Sequence, residues 1–321
     1  MKQTLYLVIP CYNEEEVLHE TAKRLLEKIE LMMENGSISG SSKIMFVNDG
    51  SKDKTWDIIN ELHNENEIFS GVNLSRNRGH QNALLAGLMT AKEHSDMTIS
   101  LDADLQDDIN VIDKFVEEYY KGSDIVYGVR SSRATDTFFK RTTALGFYKF
   151  MSILGADVMY NHADYRLMSK RALEGLSQFK EVNLFLRGLV PLVGYKYSVV
   201  EYERHERFAG ESKYPLKKMI AFALDGITSL SIKPIRIITG LGFFIFIMSF
   251  IALIYSVVVK LLGKASLGWA SIVVSIWMIG GIQLLCLGVI GEYVGKIYNE
   301  TKQRPRFIID EILIKNSNVK E

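Results

Sequence analysis

Ten residues, Ile99-Ser100-Leu101-Asp102-Ala103-Asp104-Leu105-Gln106-Asp107-Asp108, pass abruptly from an apolar run to a cluster of carboxylates. The apolar part reads as a buried strand. Asp102 and Asp104 are two positions apart, so on an extended chain their side chains point to the same side. Like charges placed in this way call for a positive group between or beside them. Carboxylate oxygens, with the Gln106 amide nearby, suit a hard cation such as Mg²⁺ or Mn²⁺, and such a cation commonly joins a protein to the phosphates of a nucleotide. The same residues would also serve as a solvated acidic loop opening a helix, with Asp107 or Asp108 as its N-cap.

The elements that must position this stretch can be read from hydrophobic spacing. Thr4–Ile9, Lys43–Val47, Phe69–Leu74, Met97–Leu101 and Asp124–Tyr127 read as strands. Helical spacing runs from Glu14 to about Glu34, through Trp56, Ile59 and Leu62, over Gln81–Lys92 and over Val111–Tyr120. Strands alternating with helices predict an α/β fold, a mostly parallel sheet with helices on both faces. In such sheets ligands bind beyond the carboxyl ends of the strands. Polar clusters stand at four of those ends: Pro10–Glu14, Asn48–Ser51, Ser75–His80 and Asp102–Asp108. The region carries no G-x-G-x-x-G and no Walker A pattern, which disfavours a dinucleotide oxidoreductase and a P-loop nucleotidase.

Lysine plus arginine and aspartate plus glutamate each number 38, so net charge gives no reason to expect nucleic acid as a partner. The hydrophobic residues are unevenly placed. Residues 237–259 and 265–291 carry no charged side chain, and each run exceeds the roughly 20 residues that cross a bilayer as a helix. Two transmembrane helices are therefore expected, at about 237–259 and 267–291. Lys233 and Arg236 precede the first run, and Lys296, Lys302, Arg304 and Arg306 follow the second. By the positive-inside tendency the first 230 residues and both termini are expected in the cytoplasm, giving a multi-pass protein of the cell membrane. Before the first run, Pro215–Leu230 has amphipathic helical spacing, with Lys217 and Lys218 on the polar side, and reads as a helix lying on anionic lipid. The expected organisation is a catalytic domain at 1–212, an amphipathic region at 213–232, two spans within 233–295 and a cytoplasmic tail at 296–321. Cys11 and Cys286 suggest no disulfide framework. His80, His162 and His205 lack the spacing of a zinc site and read as loop residues or as supports behind the residues that touch a ligand.

Four motifs together resemble a known family. Val8-Ile9-Pro10-Cys11-Tyr12-Asn13-Glu14-Glu15, Val47-Asn48-Asp49-Gly50-Ser51, Asp102-Ala103-Asp104-Leu105-Gln106 and Asp164-Tyr165-Arg166-Leu167 occur in the order seen in family-2 glycosyltransferases of the GT-A fold. The subgroup most resembled is the polyprenyl-phosphate glycosyltransferases, relatives of dolichyl-phosphate mannose synthase. The segment Gly291–Lys302 resembles the bacterial branch with two membrane helices. Many relatives carry Asp where this chain has Asn48.

The resemblance implies inverting transfer of a sugar, glucose or N-acetylglucosamine, from a UDP-sugar to undecaprenyl phosphate. It implies Pro10, Tyr12, Glu14 and Asp49 at the nucleoside, and Asp102 at the ribose or in the metal shell. Asp104 and Gln106 would hold the cation. Arg207 and Lys213 fall in a loop that closes on the donor phosphates. Arg130 and Arg141, or Lys140 in place of the latter, fall where relatives bind the acceptor phosphate. Asp164 corresponds to the residue usually given as catalytic base. A phosphate monoester is already largely ionised near neutral pH, so orienting Arg166, accepting a residual proton or positioning the acceptor stay open as alternative tasks for it. The resemblance also implies a homo-oligomer, a tetramer in related enzymes. Two other readings stand beside this one. A processive polysaccharide synthase would carry a Gln-x-x-Arg-Trp motif, whereas Trp56, Trp269 and Trp277 lie in other contexts. A non-enzymatic membrane scaffold or lipid translocator would not need the Asp102, Asp104 and Gln106 set.

Overall fold

The apolar runs of the first half do form strands. The computed structural model describes residues 2–130, 162–203, 231, 233–262 and 268–314. Within it β1 (Leu5–Cys11), β2 (Lys43–Asn48), β3 (Phe69–Leu74), β4 (Met97–Ser100) and β5 (Ile125–Arg130) alternate with α1 (Leu18–Glu34), α2 (Thr55–Glu65), α3 (His80–Lys92) and α4 (Ile112–Tyr120). β6 (His162–Ser169), α5 (Lys170–Ser177), α6 (Leu186–Leu192) and β7 (Tyr197–Tyr202) follow. β1, β2 and β4 are buried at every residue. Side chains alternate between two cores: Leu5, Leu7, Ile9, Ile44 and Phe46 pack with α1, α2 and α4, whereas Val8, Met45 and Val47 pack with α3, α5 and α6. Helices on both faces are what turn these strands into continuous apolar runs.

The sheet has the order β7-β5-β6-β4-β1-β2-β3-β8, where β8 is Ile309–Leu313. β1 pairs in parallel with β2 and β4, β2 with β3, and β5 with β7. β6 runs antiparallel to β4 and β5, and β8 antiparallel to β3. The sheet is therefore mixed but mostly parallel: β6 and β8 run against the other six strands. The parallel expectation rested on short strand–helix–strand units. β6 and β8 each enter the sheet after a long connection, which leaves their direction unconstrained by a crossover helix.

Pro10, placed by the sequence in the cluster just past the first strand, is a buried residue of β1 paired with Val47. The β4 ladder on its other side ends at Val8 and Ser100, with a last bond from Leu101 N to Val8 O. Pro10 faces that side two residues further on, so its missing N–H interrupts nothing. Gly87 brings α3 close to the sheet. A Cβ there would stand 2.5 Å from methyls of both Val8 and Val47, so the glycine sets how near the helix start can come to the strand ends.

Among the described residues, 2–130, 162–203 and 304–314 form one compact unit and 231–303 another. The second contains α7 (Lys233–Leu261) and α8 (Trp269–Lys302). Both expected spans fall on these helices, but α8 continues to Lys302, well past the expected end at 291. Among the described residues Met278–Lys302 is the one helical stretch long and apolar enough to cross a membrane. The amphipathic stretch 215–230 lies outside the described residues.

Within the expected tail, 296–321, the first part completes α8, and Ile309–Leu313 belongs to the first unit as strand β8. β8 covers the exposed edge of β3, with Leu313 packed on the α2 side of the sheet and Ile309 on the α3 side. An open edge of this kind is a template for unwanted pairing. Leu313→Ala is expected to cost about 2 kcal/mol, the low end for a leucine truncation because Leu313 is only partly covered. Chemical unfolding of the full-length protein in detergent, followed through Trp56 of the same core, measures it.

Candidate active site

Three loops at the carboxyl ends of the strands are laced together by side-chain to backbone bonds. Asn13 N donates to Ser51 Oγ at 3.0 Å and Asn13 Oδ1 accepts from Lys52 N at 2.9 Å. Glu14 N donates to Thr55 Oγ1 at 2.9 Å, and Lys54 N to the Glu15 carboxylate at 3.1 Å. The Asp49 carboxylate accepts from Arg78 N at 2.6 Å and from Gly79 N at 2.9 Å. Burial nevertheless leaves this carboxyl above its ordinary range, against the pull of both donors. Gly50, at φ +61°, lies so close to the turn at Arg76–Asn77 that a Cβ would stand 2.5 Å from its backbone. Asn48 has a task that Asp could not fill: its Nδ2 donates to Asn73 Oδ1 at 2.8 Å, while its Oδ1 accepts from Ser51 N at 3.2 Å.

The third loop delivers His80, the first residue of α3, to the fourth. His80 Nε2 lies 3.7 Å from Asp102 Oδ1 and 3.7 Å from Asp164 Oδ2. When protonated, His80 is a positive group beside Asp102, of the kind the acidic stretch called for. Burial alone would lower the imidazole pKa, and the two carboxylates outweigh it, so His80 is held above its ordinary value.

Asp102 and Asp104 leave the end of β4 as a pair. Leu105 between Asp104 and Gln106 has φ +57°, a conformation a leucine rarely adopts, and its side chain is buried. The turn lets Gln106 N donate to Asp104 Oδ1 at 3.2 Å. Among the described residues no three His, Cys, Asp or Glu side chains gather as a closed metal cage. Two carboxylates and a neighbouring amide are oxygen donors of the kind Mg²⁺ or Mn²⁺ takes when water and substrate phosphates complete its coordination. The donor set fits such an ion.

Asp107 and Asp108 separate in role. Asp108 caps the following turn, accepting from Asn110 N at 2.9 Å. Asp107, expected to share the capping, is buried and accepts from Tyr202 Oη at 2.6 Å. Burial, reinforced by the Asp102 charge, pushes its carboxyl up to about 6 against the pull of that hydrogen bond. Arg130 closes the group, with Nε 3.3 Å from Tyr202 Oη and Nη2 3.7 Å from Asp107 Oδ1. Tyr202→Phe is expected to destabilise the protein by about 1–3 kcal/mol, since it leaves a buried carboxyl without its donor. A thermal melt of the variant beside the wild type checks this.

Across β4, Ser100 pairs with Arg166 of β6, and Ser100 Oγ donates to the backbone oxygen of Asp164. Arg166 is 1% exposed, and its Nη2 stands 2.9 Å from Asp164 Oδ1. Arg187 of α6 approaches the same carboxylate, Nη2 to Oδ2 at 3.1 Å. Burial would raise the Asp164 pKa, but Arg187, His80 and Arg166 outweigh it and hold the carboxyl well below its ordinary range. Gln81 Oε1 accepts from Leu186 N at 2.8 Å and so ties the start of α3 to the start of α6.

The family description Glycosyl transferase family 2 matches residues 6–177, more than half the chain and all four strand-end clusters. The chain is a family 2 glycosyltransferase. It is 55% identical over 313 residues to the uncharacterized glycosyltransferase YkoT of Bacillus subtilis, covering 97% of this chain and 93% of that one. It is 41% identical to the prophage bactoprenol glucosyl transferase homolog of Escherichia coli, over 95% of this chain and 98% of that one. It is 40% identical to the bactoprenol glucosyl transferase of Shigella phage SfX, over 94% and 97%.

The sheet of this glycosyltransferase is GT-A-like. Its structure brings Asp49, Asp102, Asp104, Gln106, Arg130 and Asp164 to the carboxyl rim of β4, β5 and their neighbours. Tyr12 is exposed beyond β1, whereas Pro10 is buried within the strand. Arg141, Lys140, Arg207 and Lys213 lie outside the described residues. Sequence reasoning passed over Arg187 and Tyr202 and gave His80 no part more specific than a loop or supporting residue. The signal for Arg187 was a single charge in Phe185-Leu186-Arg187-Gly188-Leu189, whose neighbours are all buried. Tyr202 had no local signal, since its partners Asp107 and Arg130 are 95 and 72 residues earlier.

Proposed function

We propose that this enzyme transfers glucose from UDP-glucose to undecaprenyl phosphate, with inversion at the sugar and with Mg²⁺ or Mn²⁺ as cofactor. The observation that carries the reading is the full-length similarity to proteins named bactoprenol glucosyl transferases. It favours glucose over N-acetylglucosamine and a single transfer over processive synthesis. In this reading Asp102, Asp104 and Gln106 would hold the cation, and an ion held there would supply charge neutralisation to the departing diphosphate. Tyr12, Glu14 and Asp49, on the two laced loops, form the nucleoside end, and Pro10 shapes it from within β1. Arg207 and Lys213 close on the donor phosphates, and Arg130 with Arg141 takes the acceptor phosphate, whose ionised oxygen attacks the sugar. Asp107 and Tyr202 brace Arg130 for that task.

The acceptor is a lipid, so the enzyme works at a membrane, with α7 and α8 as its two spans and its catalytic unit and termini in the cytoplasm. The placement of β8 supports an even number of crossings. A chain that leaves the sheet after β7 and returns to the same sheet at β8 cannot cross a bilayer only once. The homo-oligomer expected from the resemblance belongs to the same proposal. The test is a donor screen with purified full-length protein in nanodiscs. UDP-glucose, UDP-N-acetylglucosamine, UDP-galactose and GDP-mannose are each offered with undecaprenyl phosphate and Mn²⁺. Lipid-linked glucose is the expected product. Preference for another donor, or a polymer, overturns the reading.

A further inference from the structure

Asp164 is engaged on both oxygens. Arg166 Nη2 lies 2.9 Å from Oδ1, while Arg187 straddles the carboxylate, Nε 3.4 Å from Oδ1 and Nη2 3.1 Å from Oδ2. His80 Nε2 is 3.7 Å from Oδ2. Protonating either oxygen would cost a charge-assisted hydrogen bond, so the carboxylate is built to hold guanidinium groups in place. The two arginines differ in what they can reach. Arg166 is 1% exposed, whereas Arg187 is 31% exposed. Arg187 stands near enough to Asp102 and His80 for its charge to act on both. An arginine fork presented beside a diphosphate–cation site matches phosphate oxygens in shape and charge.

We propose that Arg187 engages a phosphate group of a substrate, and that Asp164 is its positioning residue and not the proton acceptor of the reaction. The proposal rests on the transfer to polyprenyl phosphate set out above, in which both substrates are phosphates. The chemistry balances without a base. An oxygen of the doubly ionised acceptor phosphate forms the new bond to the sugar C1, the bond from C1 to the diphosphate oxygen breaks, and UDP leaves with the electron pair. No proton has to move.

The test uses the full chain in nanodiscs with UDP-glucose, Mn²⁺ and undecaprenyl phosphate. Arg187→Ala is expected to raise KM for one substrate about tenfold or more, with kcat changed far less, and Arg187→Lys to recover part of the loss. A shift in the UDP-glucose KM assigns Arg187 to the diphosphate, and a shift in the lipid KM to the acceptor phosphate. The double variant Asp164→Asn/Arg187→Ala should be no worse than Arg187→Ala in that KM, because one residue acts through the other. Calorimetric titration with UDP and with farnesyl phosphate gives a readout that needs no turnover. Arg187→Ala should lose about tenfold in affinity for one of them. Unchanged KM values and unchanged affinities in Arg187→Ala overturn the proposal, even if Asp164→Asn fails to fold. Absence of transfer by the wild type would overturn the functional reading alone, since the titrations still decide the role of Arg187.

Discussion

Replacing Asp104 by asparagine is expected to lower sugar transfer by about 10²–10³-fold while leaving the fold intact. The substitution is selective because of how Asp104 is held. Its Oδ1 accepts from Gln106 N, and asparagine keeps an oxygen for that bond, so the left-handed turn at Leu105 survives. What goes is the charge. In the proposed reaction a carboxylate is a strong ligand for Mg²⁺ or Mn²⁺, whereas a neutral amide oxygen would leave more of the diphosphate charge uncompensated as the sugar bond breaks. The loss should be partly offset by raising the metal concentration, and calorimetry should show weaker metal-dependent UDP binding with an unchanged thermal transition. Full activity in Asp104→Asn would remove this residue from the cation site.

Asp164→Ala is expected to act on stability first, by about 3–5 kcal/mol, the range for leaving a buried charge without its partner. Arg166 is the reason. It is sealed in the sheet, and its Nε and Nη1 already lack hydrogen-bond partners among the described residues, so Asp164 supplies its compensation. Adding Arg166→Met to Asp164→Ala should restore much of the loss, since it removes the stranded charge and leaves an apolar chain of similar length. The effect also has a pH signature. The folded-state pKa of Asp164 lies well below its unfolded value, so its contribution is complete above about pH 4 and drains away as pH falls towards the folded value. The stability difference between wild type and variant should shrink on acidification through that window. Thermal melts of the full-length protein across the acid range would show it, and a constant difference would contradict the geometry.

The legible part of the fold was the part built from local repeats. β1 to β5 and α1 to α4 are apolar runs alternating with amphipathic helices, and four polar clusters mark their carboxyl ends. Those clusters converge as the parallel order of β4, β1, β2 and β3 requires. Direction and partnership were less accessible. Nothing in His162–Ser169 tells that it runs antiparallel between β4 and β5. Asp107 and Asp108 are identical in type and adjacent, yet one caps a turn and the other is buried under Tyr202, a choice made 95 positions away. Arg187 is the same kind of case: a lone charge in an apolar stretch gains meaning only when Gln81 pins α6 beside Asp164.

β8 sets an order on biosynthesis. The ribosome makes β1 to β7 first and both long helices next, and only then releases Ile309–Leu313 to close the edge of β3. Until that moment the sheet carries an unpaired strand, and the Asn48–Asn73 chain at its rim lacks the Asp310 carboxylate, 3.3 Å from Asn73 Nδ2, that continues it. The catalytic domain is thus finished only after both long helices have been made, so a chain that stops short of Ile309 would leave an incomplete sheet, exposed for quality-control proteases to find.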